Sequence, residues 1–230
     1  MKGTGIFMRT VIFDLDGTLL DTLGDLVDAT NYALRKMGFP ERTWEDIRDF
    51  MGNGSDIYSQ IGRSVPAGTG EKTLSETIGI YRERYSAHKC DRTEPFAGIR
   101  EMLAALDERG FGAAVVSNKY DAAVREMCAR YFPGQIAAAL GEAMPERRKK
   151  PAPDRVYDAM ELLGAKPSEC VYVGDSEVDM ETADNAGIPF IGCAWGYRGR
   201  EFLTGCGASH VIDDPRELPA IAEMLCDHSV

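Results

Sequence analysis

The spacing of hydrophobic residues changes repeatedly along the chain and predicts strands alternating with helices. Short β-branched, aromatic or continuous apolar runs predict strands near residues 10–13, 113–117, 136–140, 170–173, 189–193 and 210–212. Three- and four-residue spacings predict helices near residues 99–109, 121–131, 154–163, 177–186 and 215–226. Such alternation implies that the strands pair in parallel. The pattern therefore predicts an α/β fold with a doubly wound, mostly parallel sheet.

The segment between the first strand and residue 95 differs, because every pattern in it is helical. Apolar positions recur at helical spacing near residues 23–37, 43–51, 55–63 and 70–87, and glycine-containing turns separate several of these runs. We therefore expect a Rossmann-like α/β core formed by residues 1–20 and 95–230. Residues 21–94 are expected to form an inserted, all-helical cap domain.

Composition narrows the possible partners. The 230 residues carry a formal net charge of −11, and such an acidic chain is poorly suited to bind nucleic acid or an anionic membrane surface. No apolar stretch reaches the ~18 residues of a membrane helix. We therefore expect a cytoplasmic protein, either a monomer or a homodimer. The six cysteines include no C-x-x-C pair, so neither a zinc site nor a disulfide framework is indicated.

Polar residues follow several predicted strands, at the edge where open α/β sheets bind their ligands. Asp14 and Asp16 end the first strand and point the same way from an extended backbone, and Gly17 then permits a sharp turn. Two like charges so close require a cation or a shared proton. Ser117 and Asn118 end the second strand. The sequence therefore predicts one polar site at this edge.

The fourth strand and the loop before it add further charges. Asp175 follows the strand and precedes Asp179 by four residues, so both carboxylates are expected on one face of the first turn of a helix. Hard oxygen ligands without histidine or cysteine favour Mg²⁺. Lys149 and Lys150, between the third and fourth strands, offer positive charge to these carboxylates. The pattern therefore predicts a magnesium-dependent site.

Four short motifs occur in order at these positions. They are Asp14-x-Asp16-Gly-Thr-Leu, Ser117-Asn118, Lys150-Pro-x-Pro and Gly174-Asp-x-x-x-Asp179. Together they span the predicted core and resemble the four ordered motifs of the haloacid dehalogenase-like hydrolases. Two further stretches, Pro95-Phe-Ala-Gly98 and Trp195-Gly-Tyr197, look most like the phosphoglycolate phosphatase branch. The helical insert resembles the cap that follows the first motif in this family.

The resemblance implies a reaction through a covalent intermediate. Asp14 would attack phosphorus to give an aspartyl-phosphate, and Asp16 would act first as general acid and then as general base. Lys150 would stabilise the negative charge of the transition state. The partner implied is a small phosphorylated metabolite.

The resemblance also implies a set of ligands for the cofactor and the phosphate. Mg²⁺ would be held by Asp14, by the main-chain carbonyl of Asp16 and by Asp175, while Asp179 would hold a metal-bound water. The phosphate-binding residues implied are Lys150, Ser117, Asn118 through its backbone N–H, and Thr18.

Three activities are compatible with these residues. The first is Mg²⁺-dependent hydrolysis of a small phosphomonoester, with 2-phosphoglycolate as the best candidate. A phosphosugar mutase of the same superfamily would use the same two aspartates but return the phosphoryl group to the sugar. A signalling receiver would use an aspartyl-phosphate to control partner binding, and it would need neither the cap nor Asp16.

Two details stay open at this level. The amine of Lys119, next to the second motif, either reaches the site or points away from it. In the cap, Gly52-Asn-Gly54-Ser55 either offers backbone N–H groups to an anion or simply connects two helices.

Overall fold

A computed structural model describes residues 9–51, 56–142 and 147–227 of the chain. The turn Gly52-Asn-Gly54-Ser55 lies outside the described residues. The helices are α1 (Leu23–Lys36), α2 (Trp44–Met51), α3 (Ile57–Ser64), α4 (Glu71–His88), α5 (Ile99–Glu108), α6 (Asp121–Tyr131), α7 (Asp154–Leu163), α8 (Glu177–Ala186), α9 (Gly199–Gly205) and α10 (Leu218–Asp227). The strands are β1 (Arg9–Phe13), β2 (Leu20–Asp21), β3 (Glu94–Pro95), β4 (Phe111–Tyr120), β5 (Ala138–Glu142), β6 (Cys170–Gly174), β7 (Phe190–Cys193) and β8 (Val211–Ile212).

Six strands form one parallel sheet in the order β5-β4-β1-β6-β7-β8. β1 lies inside the sheet because it pairs with β4 on one side and with β6 on the other. Val11 and Phe13 pack in one apolar cluster, whereas Ile12 packs in another. Helices cover both faces of the sheet, which explains why β1 is apolar without alternation. The predicted fold class is confirmed.

The core helices agree closely with the predicted ones. α6, α7 and α8 have the predicted bounds, and α7 and α8 each end at a glycine with φ of +70°, Gly164 and Gly187. The helix predicted over residues 215–226 is instead a short 3₁₀ turn, Pro215–Glu217, followed by α10. The seven-residue helix α9 was not predicted.

The helices α1 to α4, which we call the four-helix segment, pack around an apolar cluster of their own. Its buried residues include Leu26, Ile61, Ile78, Tyr81 and Tyr85. The four helices lie close to the predicted positions, as expected where apolar residues recur at helical spacing. Within the described part of the chain, no helix combines the length and the apolar character needed to cross a membrane.

Two short connections join these four helices to the sheet. β2 and β3 pair antiparallel and thereby hold the connections side by side. Asp25, buried near the start of α1, accepts hydrogen bonds from the backbone N–H groups of Arg92 and Thr93, both at 3.0 Å, and from the Thr93 hydroxyl at 2.7 Å. The sequence did not predict this ladder, because strands of two residues show no periodic pattern.

Candidate active site

The carboxyl ends of β1 and β6 meet at one edge of the sheet. Asp14 immediately follows β1, and its backbone N–H donates to the carbonyl of Val173 in β6 at 2.9 Å. Gly17 then adopts φ of +81°, and a Cβ atom there would lie 2.4 Å from Oδ2 of Asp175. The turn after Asp16 therefore requires glycine, both for its backbone conformation and for the close approach of the carboxylate.

Lys150 lies at the centre of the charged cluster. Its Nζ is 2.7 Å from Oδ1 of Asp14 and 2.7 Å from Oδ1 of Asp179, and the side chain is only 5% exposed. The same Nζ donates to the hydroxyl of Tyr172 at 3.2 Å. That hydroxyl donates in turn to the carbonyl of Val116 at 3.2 Å. Three oxygens from separate elements therefore fix the ammonium.

Asn118 positions the loop that carries Lys150. The backbone N–H of Lys150 donates to Oδ1 of Asn118 at 2.8 Å, and Nδ2 of Asn118 donates to the Lys150 carbonyl at 3.2 Å. Ser117, the preceding residue, is buried, and its Oγ accepts the backbone N–H of Lys119 at 3.2 Å. The sequence pointed only to the backbone N–H of Asn118, so this side-chain contact is an addition.

Asp16 contacts groups from both the core and the four-helix segment. The Thr22 hydroxyl donates to its Oδ1 at 2.6 Å, and Nζ of Lys119 lies 3.0 Å from its Oδ2. The same Nζ donates to the hydroxyl of Tyr85, in α4, at 2.7 Å. Lys119 therefore does reach the site, and Tyr85 contacts the same ammonium.

Three carboxylates form an acidic group beside Lys150. Asp14, Asp175 and Asp179 each offer an oxygen, and these oxygens lie within 4.8 Å of one another. Oδ2 of Asp179 accepts hydrogen bonds from the backbone N–H and the hydroxyl of Ser176, at 3.1 and 2.6 Å, in a capping box at the start of α8. Oδ2 of Asp175 accepts the backbone N–H of Tyr197 at 2.7 Å.

Two adjoining cavities lie above these groups. The first, of about 50 Å³, is lined by Asp14, Asp16, Met51, Ser117, Asn118, Lys119, Lys150, Asp175, Ser176, Val178 and Tyr197. The second, of about 90 Å³, is lined by Asp16, Leu26, Met51, Ile57, Gln60, Tyr81, Arg82, Tyr85, Asn118, Lys119, Tyr120 and Glu142. We call them the inner and the outer cavity. The residues that border both are Asp16, Met51, Asn118 and Lys119.

The sequence matches a known family over most of its length. The profile of the family described as haloacid dehalogenase-like hydrolase matches residues 11–193. The chain belongs to the haloacid dehalogenase-like hydrolases. The resemblance expected from the four motifs is thereby confirmed.

Individual relatives of this hydrolase are similar over nearly the whole chain. A phosphoglycolate phosphatase of Vibrio parahaemolyticus is 33% identical over 222 residues, covering 92% of this chain and 94% of that protein. A phosphoglycolate phosphatase of Pseudomonas putida is 29% identical over 221 residues, covering 93% of this chain and 79% of that protein. The crystal structure of a candidate phosphoglycolate phosphatase from Lactobacillus delbrueckii subsp. bulgaricus matches with a TM-score of 0.87 and 33% identity, covering 94% of this chain and 98% of that one. The similarity to the phosphoglycolate phosphatase branch is therefore confirmed.

Burial controls the charge states in the site of this hydrolase. Burial raises the pKa of Asp14 to about 7, although Lys150 counters part of the effect. Burial also raises the pKa of Asp175 well above its ordinary value, with Asp179 and Asp14 adding to the rise. Burial disfavours the charged form of Lys150, but Asp14 and Asp179 outweigh it and hold the lysine pKa well above its ordinary value.

These charges do not balance among themselves. Within the described part of the chain, the three buried carboxyl groups of Asp14, Asp175 and Asp179 lie beside one ammonium, that of Lys150. Uncompensated buried charge is costly, so such a cluster favours a further cation. The donors are all oxygens, and this donor set fits a divalent metal ion.

Thr18 lies next to Asp175. Its side chain is fully buried, and its hydroxyl lies 3.5 Å from Oδ1 of Asp175, to which it donates. Nε1 of Trp195 donates to the Thr18 carbonyl at 3.0 Å. Thr18 is also not among the described residues that line the inner cavity. The structure therefore places the Thr18 hydroxyl against Asp175, and the phosphate contact of Thr18 stays a prediction.

Three residues of the site were missed or left open by the sequence. Lys119 follows the second motif directly, and that proximity was the only signal of its role. Tyr85 and Tyr172 carried no signal, because each occupies an apolar position of its element and is indistinguishable there from an ordinary core aromatic.

Proposed function

We propose that this hydrolase cleaves a small phosphomonoester with Mg²⁺, through an aspartyl-phosphate on Asp14, and that 2-phosphoglycolate is its substrate. One observation carries the proposal: Asp14 and Asp16 line the same inner cavity, and Lys150 contacts Asp14 at 2.7 Å. A nucleophile, a proton-transfer group and a fixed cation thus surround one space. Its volume of about 50 Å³ would hold roughly four water molecules, which suits a phosphoryl group.

In the first half-reaction, an Asp14 carboxylate oxygen forms a bond to phosphorus while the bond from phosphorus to the ester oxygen breaks. Asp16 gives its proton to that ester oxygen, so the leaving group departs as an alcohol. Lys150 offsets negative charge on the phosphoryl oxygens. Ser117 uses a lone pair to accept the N–H of Lys119, and its O–H supplies a donor to the phosphoryl group.

The second half-reaction regenerates the enzyme. A water molecule attacks phosphorus, the bond from phosphorus to the Asp14 oxygen breaks, and Asp16 takes the proton from the water. Inorganic phosphate leaves, and both aspartates regain their starting protonation states. The contacts of Asp16 with Thr22 at 2.6 Å and with Lys119 at 3.0 Å support a fixed position for the two proton transfers.

The acidic group supports Mg²⁺ as the cofactor. Asp14, the main-chain carbonyl of Asp16 and Asp175 would hold the ion, and Asp179 would contact one of its waters. When bound, the ion supplies positive charge against the phosphoryl oxygens. The support is the donor set, since the oxygens of three buried carboxylates lie within 4.8 Å of one another.

Two observations support 2-phosphoglycolate. Relatives that share about a third of their residues with this chain are phosphoglycolate phosphatases. The outer cavity, where the leaving group would lie, has a volume of about 90 Å³. That corresponds to roughly six to nine water molecules, so the cavity suits a leaving group of a few non-hydrogen atoms better than a sugar.

A panel of phosphomonoesters tests the proposal. 2-Phosphoglycolate, nucleoside monophosphates, glucose phosphates and pyrophosphate are incubated with the enzyme and Mg²⁺, or with EDTA, and released phosphate is measured. We expect turnover of 2-phosphoglycolate that EDTA abolishes. Interconversion of glucose phosphates would favour the mutase, and a single phosphorylation without turnover would favour the receiver. No phosphate release from any ester would contradict the proposed function.

A further inference from the structure

One buried cation lies at the junction between the inner and outer cavities. Lys119 lines both of them, and its side chain is only 7% exposed. Its Nζ contacts Oδ2 of Asp16 at 3.0 Å and donates to the Tyr85 hydroxyl at 2.7 Å. It also lies 4.7 Å from the centre of the Tyr85 ring. These contacts fix the ammonium on the side of Asp16 that faces the four-helix segment.

The other charged groups of the outer cavity are placed differently. Arg82 is exposed, and its guanidinium lies over the Tyr58 ring at 5.5 Å. Glu142 is also exposed. Much of the remaining wall is apolar or aromatic, formed by Leu26, Met51, Ile57, Tyr81, Tyr85 and Tyr120. An ammonium in such poorly solvated surroundings attracts an anion far more strongly than it would in water.

The position of Lys119 also matches the geometry of the reaction. The ester oxygen must lie beside Asp16 to receive its proton, and Lys119 is 3.0 Å from that carboxylate. An anionic group attached to the carbon that bears the ester oxygen would therefore come close to the same ammonium. In 2-phosphoglycolate, the carboxylate is attached to that carbon.

We propose that Lys119 binds an anionic group of the leaving group, and that the enzyme thereby selects phosphate esters of short hydroxy acids over neutral alkyl phosphates. This inference rests on the proposed phosphatase function and specifies its substrate class. Tyr85 holds the ammonium at the entrance to the outer cavity. The outer cavity, of about 90 Å³, suits a hydroxy acid of a few carbons.

Matched substrates and lysine variants test the assignment. kcat/KM is measured for 2-phosphoglycolate and for two neutral analogues, ethyl phosphate and the phosphate ester of glycolamide. We expect the wild type to prefer 2-phosphoglycolate by about 10- to 100-fold, the size of one charge-assisted hydrogen bond. Lys119→Met should remove that preference, and Lys119→Arg should keep a large part of it. Lys119→Gln, which removes the charge but keeps donors, serves as a second neutral variant if Lys119→Met fails to fold.

Lys149→Met is the matched control. Lys149 also joins the core to the four-helix segment, through an ion pair with Asp56, but it is not among the described residues of either cavity. Its substitution should leave the ratio of kcat/KM for 2-phosphoglycolate and ethyl phosphate unchanged.

Each remaining outcome has a distinct meaning. If the neutral Lys119 variants slow all three substrates by the same factor, Lys119 only positions Asp16 and the proposal is wrong. It is also wrong if the wild type hydrolyses ethyl phosphate as efficiently as 2-phosphoglycolate, although the phosphatase function would then stand. Absence of activity on every ester would contradict the phosphatase function itself.

Discussion

The two walls of the active site differ in chemistry. On the core wall, charged groups contact each other closely: Lys150 lies 2.7 Å from both Asp14 and Asp179. On the wall formed by the four-helix segment, side chains such as Leu26 and Tyr81 are apolar or aromatic and buried in a separate cluster. The core wall can stabilise charge, whereas the other wall can exclude water and shape the space. The difference suggests that the reaction depends on the core and that substrate choice depends on the contacts between the two.

The two walls also differ in how their residues are held. Asp14 and Asp175 directly follow strands of the six-stranded sheet, so the backbone fixes them. Tyr85 lies on a helix that joins the sheet through the short β2–β3 ladder. Lys119 contacts residues of both walls, Asp16 and Tyr85. Substitutions should therefore affect the rate most strongly on the core wall and more weakly on the opposite one.

The largest effect is expected for Asp14→Asn. Without the nucleophile no phosphoenzyme forms, so kcat should fall by at least about 10⁴-fold, while the circular dichroism spectrum stays the same. Asp213→Asn, at an exposed ion pair with Arg200, is the control and should keep full activity. A kcat for Asp14→Asn above one hundredth of the wild-type value would mean that another group attacks phosphorus.

Lys150→Met should have the next largest effect, on both rate and stability. Loss of the fixed cation should lower kcat by about 10²- to 10³-fold. In the metal-free protein it also leaves Asp14 and Asp179 buried without their counter-charge, so the free energy of unfolding should fall by about 3–5 kcal/mol. Urea unfolding and steady-state kinetics measure the two effects.

The neighbouring lysine gives the control for that substitution. Lys149 is 43% exposed and pairs with Asp56, so Lys149→Met should change the free energy of unfolding by only about 0–1 kcal/mol. Equal losses in the free energy of unfolding for Lys150→Met and Lys149→Met would contradict the prediction that the buried lysine contributes more to stability.

Metal removal should destabilise the protein in a pH-dependent way. Burial raises the pKa of Asp14 to about 7, so the folded metal-free protein binds this proton more tightly than the unfolded chain does. The contribution of Asp14 to the stability should therefore be full below the ordinary carboxyl pKa and be lost as pH rises through about 7. Because Mg²⁺ binds the ionised carboxylates, it should raise Tm more at pH 8 than at pH 5. Differential scanning fluorimetry with Mg²⁺ or EDTA measures this, and equal Mg²⁺ shifts at both pH values would contradict it.

The smallest effect is expected on the wall opposite the core. Tyr85→Phe removes the hydroxyl that accepts a hydrogen bond from the Lys119 ammonium. kcat/KM for 2-phosphoglycolate should therefore fall by about 3- to 10-fold, the effect of losing one hydrogen bond. Hydrolysis of ethyl phosphate should change little. Tyr81→Phe is the control, because Tyr81 also lines the outer cavity and its ring stacks on that of Tyr85, with the ring centres 5.5 Å apart. If Tyr81→Phe lowered kcat/KM for 2-phosphoglycolate more than Tyr85→Phe, then Tyr85 would not be the residue that positions Lys119.

The parts of the molecule that could be predicted from the sequence are those with local signals. The helices α6, α7 and α8 agree with the predicted bounds, because their apolar spacing and the terminal Gly164 and Gly187 are local signals. The four motifs are local too, since each follows a strand or lies in one loop. The resemblance that they carry is confirmed, because the family of haloacid dehalogenase-like hydrolases matches residues 11–193 of the chain.

Most of the contacts that the sequence did not predict are nonlocal. Tyr85 and Lys119 are 34 residues apart and meet because their side chains reach each other from α4 and from the end of β4. Thr18 follows Asp16 by two residues, yet the sharp turn at Gly17 brings its hydroxyl to Asp175 instead of the inner cavity. The direction in which such a side chain points depends on how the helices and strands pack, and a hydrophobic pattern does not encode that packing.

Trapping the phosphoenzyme tests the central claim most directly. The enzyme is mixed with 2-phosphoglycolate and Mg²⁺, quenched in acid within one turnover, and reduced with borohydride, which converts an aspartyl-phosphate to homoserine. Peptide mass spectrometry then locates the converted residue. We predict homoserine at position 14 and unmodified Asp16 and Asp175. Homoserine at another aspartate would contradict the account, as would turnover with no converted aspartate at any quench time.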